Sequence, residues 1–143
     1  MLQLKQSPYR NAKILIVDDR IDNLDLLSTI CNLHGFKTSI SNQGKLAIKL
    51  AKKIRPNVIL LDINMPEMDG RELSEFIRYN PSTTHIPIIM VTSEASDSAH
   101  MTNIQQTGVN ALCDKPFESD EVRGILVSLL DKAKVDLKVA VKE

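Results

Sequence analysis

Ile14-Leu15-Ile16-Val17-Asp18-Asp19 sets four consecutive apolar residues directly before two carboxylates. An apolar run this short, rich in β-branched side chains, suits a strand buried on both faces of a parallel sheet. The pattern recurs: Val58-Ile59-Leu60-Leu61 runs into Asp62, and Ile88-Ile89-Met90-Val91 runs into Thr92. Phe36 to Ser41 alternates instead, with Phe36, Thr38 and Ile40 on one side, as an edge strand does. Val109 to Cys113 is a weaker fifth run, ahead of Asp114-Lys115-Pro116.

Helical periodicity fills the gaps. Leu24, Leu27, Cys31 and His34 recur at helical spacing, and Gly35 follows as a C-cap. Ala47, Leu50, Ala51 and Ile54 mark a second helix, stopped by Pro56. Asp69 caps a third, with Leu73, Phe76 and Ile77 expected on its inner face. Ser96 to Thr107 is a fourth, thin in apolar residues, ended by Gly108. Ser119 is expected to cap a fifth, whose stripe is Val122, Ile125, Leu126, Leu129 and Leu130. Strands alternating with helices make a doubly wound (βα)5 parallel sheet. Such sheets bind ligands outside the carboxyl ends of their strands.

The composition agrees with one globular unit. The chain has 143 residues, 43% hydrophobic and 25% charged, and its 18 basic residues balance 18 acidic ones. A net charge of zero argues against nucleic-acid binding by bulk charge. No apolar run approaches the ~20 residues of a membrane helix, and Met1 to Ala12 lacks a signal-peptide core, so a cytoplasmic setting is expected. Cys31 and Cys113 sit in apolar context and read as small buried hydrophobes rather than a disulfide.

The strand ends carry the chemistry. Asp18, Asp19, Asp62, Thr92 and Lys115 all fall at the same edge of the expected sheet. A lone Asp after a strand is ordinarily a turn former. Three together are different, because like charges about 4 Å apart repel by ~4 kcal/mol at an effective dielectric of 20. Such a cluster requires a cation, a shared proton or a function. Oxygen ligands with no His or Cys cluster suit Mg²⁺. A dication, a lysine and a hydroxyl around a carboxylate form a phosphoryl-transfer constellation.

Across residues 12 to 132 the sequence resembles the receiver domain of bacterial two-component response regulators. The match rests on Ile14 to Asp19, on Leu61-Asp62-Ile63-Asn64-Met65-Pro66-Glu67-Met68-Asp69-Gly70, on Ile86 to Thr92 and on Asp114-Lys115-Pro116-Phe117. The resemblance implies a flavodoxin-like sheet of order 2-1-3-4-5. It implies that Asp62 accepts a phosphoryl group from a histidine kinase or histidine phosphotransfer protein. Asp19, Asp62 and the Asn64 backbone would then hold Mg²⁺, with Asp18 acting through a water. Lys115 and Thr92 would contact the phosphoryl group, and Pro116 would be the family's cis proline. Gly70 would shape the loop after the nucleophile by adopting angles other residues resist. Asn64, Ser93 and Glu94 occupy modulating positions. Leu112 stands where the family usually carries Tyr or Phe, which places the output route in question.

Two other readings are weighed. One makes the domain the regulator of a longer effector protein (a cyclic-dinucleotide enzyme, hybrid kinase or transcription factor). A haloacid-dehalogenase-like phosphatase also uses a strand-end Asp, but wants a second acid where Asn64 stands. His34, His85 and His100 show no ligand spacing and read as surface residues. Lys45, Lys49, Lys52, Lys53 and Arg55 read as a solvated helix face rather than a nucleic-acid patch. Residues 1–11 form an N-terminal extension and 133–143 a tail. In the tail, Leu126, Leu130, Ala133, Leu137 and Ala140 follow a coiled-coil seam, while Val135, Leu137, Val139 and Val141 alternate like a strand. With no Pro or Gly after Leu130, the helix is preferred, leading to an effector or pairing in a homodimer.

Overall fold

A computed structural model describes residues 9–66, 68–92 and 108–142, the last nine as backbone only. Five strands form one parallel sheet: β1 (Lys13–Val17), β2 (Lys37–Ser41), β3 (Val58–Asp62), β4 (Ile88–Thr92) and β5 (Ala111–Asp114). Their order is β2-β1-β3-β4-β5. The described helices are α1 (Ile21–Leu33), α2 (Gly44–Ile54), α3 (Gly70–Tyr79) and α4 (Ser119–Lys142). The expected helix over Ser96 to Thr107 lies outside the described residues.

The three central runs are buried along their apolar length because both of their faces are covered. Ile14, Ile16, Val58, Leu60, Ile89 and Val91 point to one side, where α1 and α4 add Leu24, Leu27, Cys31, Val122 and Leu126. Leu15, Val17, Ile59, Leu61, Ile88 and Met90 point to the other, where α2 and α3 add Ala47, Ala51, Leu73 and Ile77. At roughly 25 cal/mol per Å² of apolar surface, these two layers are the main source of stability.

Helix ends follow local chemistry. Asp69 accepts the Arg71 backbone N–H at 2.8 Å and caps α3 as expected. Gly35 has φ +86°, the left-handed geometry that closes α1. Four expectations need correction. Phe76 is 54% exposed, because the buried face of α3 is set by Leu73, Ser74 and Ile77. Ser119 does not cap α4: the first helical bond runs from Val122 N–H to the Glu118 carbonyl, and Ser119 Oγ instead shares a 2.8 Å hydrogen bond with His34 Nε2. His34 is therefore a half-buried partner of α4 rather than a free surface residue. Ile40 is largely open, since the edge position of β2 leaves its outer end uncovered.

The N-terminal segment docks at the opposite end of the sheet from the carboxylates. Asn11 N–H donates to the Gly35 carbonyl, Tyr9 packs against the core, and its hydroxyl donates to Asp131 on α4. Beyond Asp131 the backbone stays helical through Lys142, so the helical reading of the tail prevails over the strand. Cys31 and Cys113 are buried free thiols, and burial pushes them up to about 12 and about 11. Among the described residues, no helix is long and apolar enough to cross a membrane.

Candidate functional site

The carboxyl ends of β1, β3, β4 and β5 meet because parallel pairing aligns them. Val17 pairs with Leu61, Asp62 with Val91, and Thr92 with Asp114. The residue after β1 is Asp18 and the residue after β5 is Lys115, so residues far apart in sequence arrive at one place.

Asp18, Asp19 and Asp62 each offer a carboxylate oxygen, and these oxygens lie within 4.8 Å of one another. Asp18 and Asp62 are buried, and Asp19 is more open. Lys115 Nζ stands 3.4 Å from Asp62 Oδ1 and 3.9 Å from Asp18 Oδ2. One ammonium against three carboxylates leaves the ionised cluster short of positive charge. Asp18 Oδ2 is buried without a hydrogen-bond partner among the described residues. Buried charge needs pairing, so an orphaned carboxylate oxygen in an anionic cluster fits a hard dication with oxygen preference.

Backbone amides hold the acids in place. Arg20 N–H donates to Asp18 Oδ1 at 2.9 Å, and Asn64 N–H reaches Asp62 Oδ1 at 3.4 Å. Both are contacts of an Asp side chain with the amide two residues on. The sequence carries no signal for Arg20 beyond that spacing. Burial pushes the Asp18 carboxyl up to about 6, helped by its acidic neighbours and opposed by the Arg20 amide and Lys115. Burial also raises Asp62, with Lys115 the main opposing influence. The lysine thus works to keep Asp62 ionised, the state a nucleophile needs.

Thr92 closes β4 fully buried, one residue past the partner of Asp62. The Lys115–Pro116 peptide is cis, as the resemblance implied. Gly70 is required, but for a different reason than expected. It does not adopt positive φ; a Cβ there would lie 2.5 Å from the Asp62 carbonyl oxygen and 2.8 Å from Ile63 Cα. The start of α3 thus presses directly on the backbone of Asp62 and Ile63, and Gly70 N–H donates to the Ile63 carbonyl. Leu112 is half-buried on the α2–α3 side of the sheet. Ser93 and Glu94 lie outside the described residues. A cavity of about 260 Å³ adjoins Asp19, with Met65 and Met68 in its wall.

A doubly wound sheet of order 2-1-3-4-5 with three carboxylates and a lysine at its carboxyl edge is the arrangement expected of a receiver domain. The chain belongs to the response regulator receiver domain family, whose sequence profile matches residues 14–127. The polar-differentiation response regulator DivK of Brucella anthropi is 33% identical over 104 residues, covering 73% of this chain and 84% of DivK. The regulatory protein AtoC of Escherichia coli is 37% identical over 114 residues, covering 80% of this chain but 24% of AtoC. The receiver domain of sensor histidine kinase PA1611 from Pseudomonas aeruginosa, with magnesium coordinated in its active-site cleft, matches with a TM-score of 0.78 at 27% identity, covering 85% of this chain and 98% of that one.

Proposed function

We propose that Asp62 accepts a phosphoryl group from a phosphohistidine on a histidine kinase or phosphotransfer protein, and that the product controls a downstream protein or domain. One observation carries this reading: Lys115 Nζ lies 3.4 Å from Asp62 Oδ1 inside the triad. An Asp62 oxygen attacks phosphorus, the phosphorus–nitrogen bond breaks, and the imidazole leaves. Lys115 faces the charge on the transferring group, and Thr92 is the hydroxyl nearest in register to hold it. Asp19, Asp62 and the Asn64 carbonyl would hold Mg²⁺ with Asp18 through water, and the ion would neutralise phosphoryl oxygens when bound. The domain would promote its own phosphorylation and dephosphorylation and turn over no separate substrate. Asn64, exposed beside the nucleophile, and Glu94 would set the access of water. The buried free thiols support a reducing, cytoplasmic setting.

Mass spectrometry after treatment with a small phosphodonor tests this. One acid-stable, base-labile addition is expected, absent in Asp62→Asn and in chelator. An unchanged yield in either overturns the assignment.

A second reading concerns organisation. The receiver unit would span residues 12–132, with 133–143 a helical connector to an effector or to a second chain. What favours it is the unbroken run of α4 from the core through Lys142, together with relatives such as AtoC, in which the matching region is a minor part.

A further inference from the structure

The outward faces of α2 and α3 carry opposite charge. On α2, Lys45, Lys49, Lys52 and Lys53 are exposed, and the helix contains no acidic residue. On α3, Glu72 and Glu75 are exposed beside Phe76, at 54%, and Tyr79, at 90%. The two cations of α3 are turned elsewhere. Arg71 stands 3.9 Å from the Asp69 carboxylate. Arg78 donates to the carbonyls of Gly108, Thr84 and Ile86 and to Asn110 Oδ1. The outer face of α3 is thus left acidic and aromatic. Within one copy, none of these lysines or glutamates makes an ion pair with another described residue.

We infer that the α2–α3 face is a contact surface between two copies of this chain. The helices pack on the same side of the sheet, and each starts after the carboxyl end of a parallel strand. At about 1.5 Å per residue, Lys45, Lys49 and Lys52 stand roughly 1.5, 7.5 and 12 Å from the start of α2. On the same scale Glu72, Glu75 and Tyr79 stand roughly 3, 7.5 and 13.5 Å from the start of α3. A two-fold axis along the helices lays α2 of one copy on α3 of the other and repeats the contact in reverse. Lys45 then meets Glu72, Lys49 meets Glu75, and Lys52 sits over the Tyr79 ring, with Phe76 supplying apolar contact. The order of charges at matching heights on one surface selects a second copy over an unrelated partner.

Sedimentation equilibrium on residues 1–143, from tens to hundreds of micromolar, tests this. A dimer is expected at low salt, weakened about tenfold at ~0.5 M salt, where screening lengths fall to a few Å. Lys49→Glu with Lys52→Glu is expected to give monomer, as is Glu72→Lys with Glu75→Lys. Mixing these two variants restores a dimer, because each reversed helix then faces its complement. Lys49→Gln with Lys52→Gln covers the case in which a reversed variant does not fold, and weakens pairing by a smaller factor. A monomeric parent chain at all concentrations overturns the inference. So does a dimer that ignores the substitutions, or a folded mixture that stays monomeric.

Discussion

Asp18→Asn is expected to stabilise the metal-free protein at neutral pH. The carboxyl is buried, Oδ2 has no hydrogen-bond partner among the described residues, and burial holds it at about 6 against an ordinary 3.8. At about 1.4 kcal/mol per pKa unit, ionising it in the fold costs at most about 3 kcal/mol relative to the unfolded chain. An amide retains an acceptor for the Arg20 N–H but loses the attraction to Lys115, so a net gain of about 1–2 kcal/mol is expected. For a chain of this size that raises Tm by roughly 3–8 °C. The sign with pH follows from the raised pKa. Between about pH 4 and pH 6 the native state binds more protons than the unfolded one, so the stability this group contributes falls as pH rises. Thermal unfolding of both proteins in chelator at pH 4.5 and pH 7.5 measures it, and the gap between them should widen at the higher pH. Saturating Mg²⁺ should then raise the parent more than the variant, because only the parent regains the lost charge balance. A variant no more stable than the parent at pH 7.5, or a gap independent of pH, would refute the argument.

Further expectations are local. Gly70→Ala forces a Cβ against the Asp62 and Ile63 backbone and should destabilise by about 1–3 kcal/mol while slowing phosphorylation, read by denaturant titration and phosphodonor kinetics. Gly124→Ala meets nothing within 4 Å and should stabilise α4 by about 0.5–1 kcal/mol, with a matching rise in Tm. Arg78→Met breaks a fork of hydrogen bonds and leaves carbonyls unpaired, for a loss of about 2–4 kcal/mol in urea unfolding. Asp19→Ala should weaken Mg²⁺ more than Asp18→Ala in a calorimetric titration, since a direct ligand is costlier to lose than a water-bridged one.

The central strands and the triad were readable because the two signals coincide. A strand buried on both faces needs a continuous apolar run, and the first polar residues after it must fall at the sheet edge. Ile14 to Asp19 and Val58 to Asp62 carry both signals. The misplacements share another cause. Phe76 fits an apolar stripe as well as Leu73 does, yet the face of α3 that packs on the sheet carries Leu73, Ser74 and Ile77, which leaves Phe76 outward. Ser119 has the ideal side chain for a cap, yet a histidine far away in sequence competes for its hydroxyl. Gly70 shows a glycine without showing whether angle or proximity demands it, and the answer lies in the backbone of another element. Arg78 looks like any exposed helix arginine until the loops before β4 and β5 bring their carbonyls to it.

Helix α4 runs 24 residues, and its last buried side chain among those described is Leu130. From Leu130 to Lys142 the axis advances about 18 Å while turning about 100° per residue. Anything carried past that point is held at a set azimuth about the helix axis. Removing one residue from this stretch shifts the cargo by only about 1.5 Å but swings it through more than a quarter-turn, whereas removing seven returns it to within about 20° of its first heading. Output through such a shaft would be tuned by angular phase rather than by reach, so that activity in a series of deletions would rise and fall with the helical period.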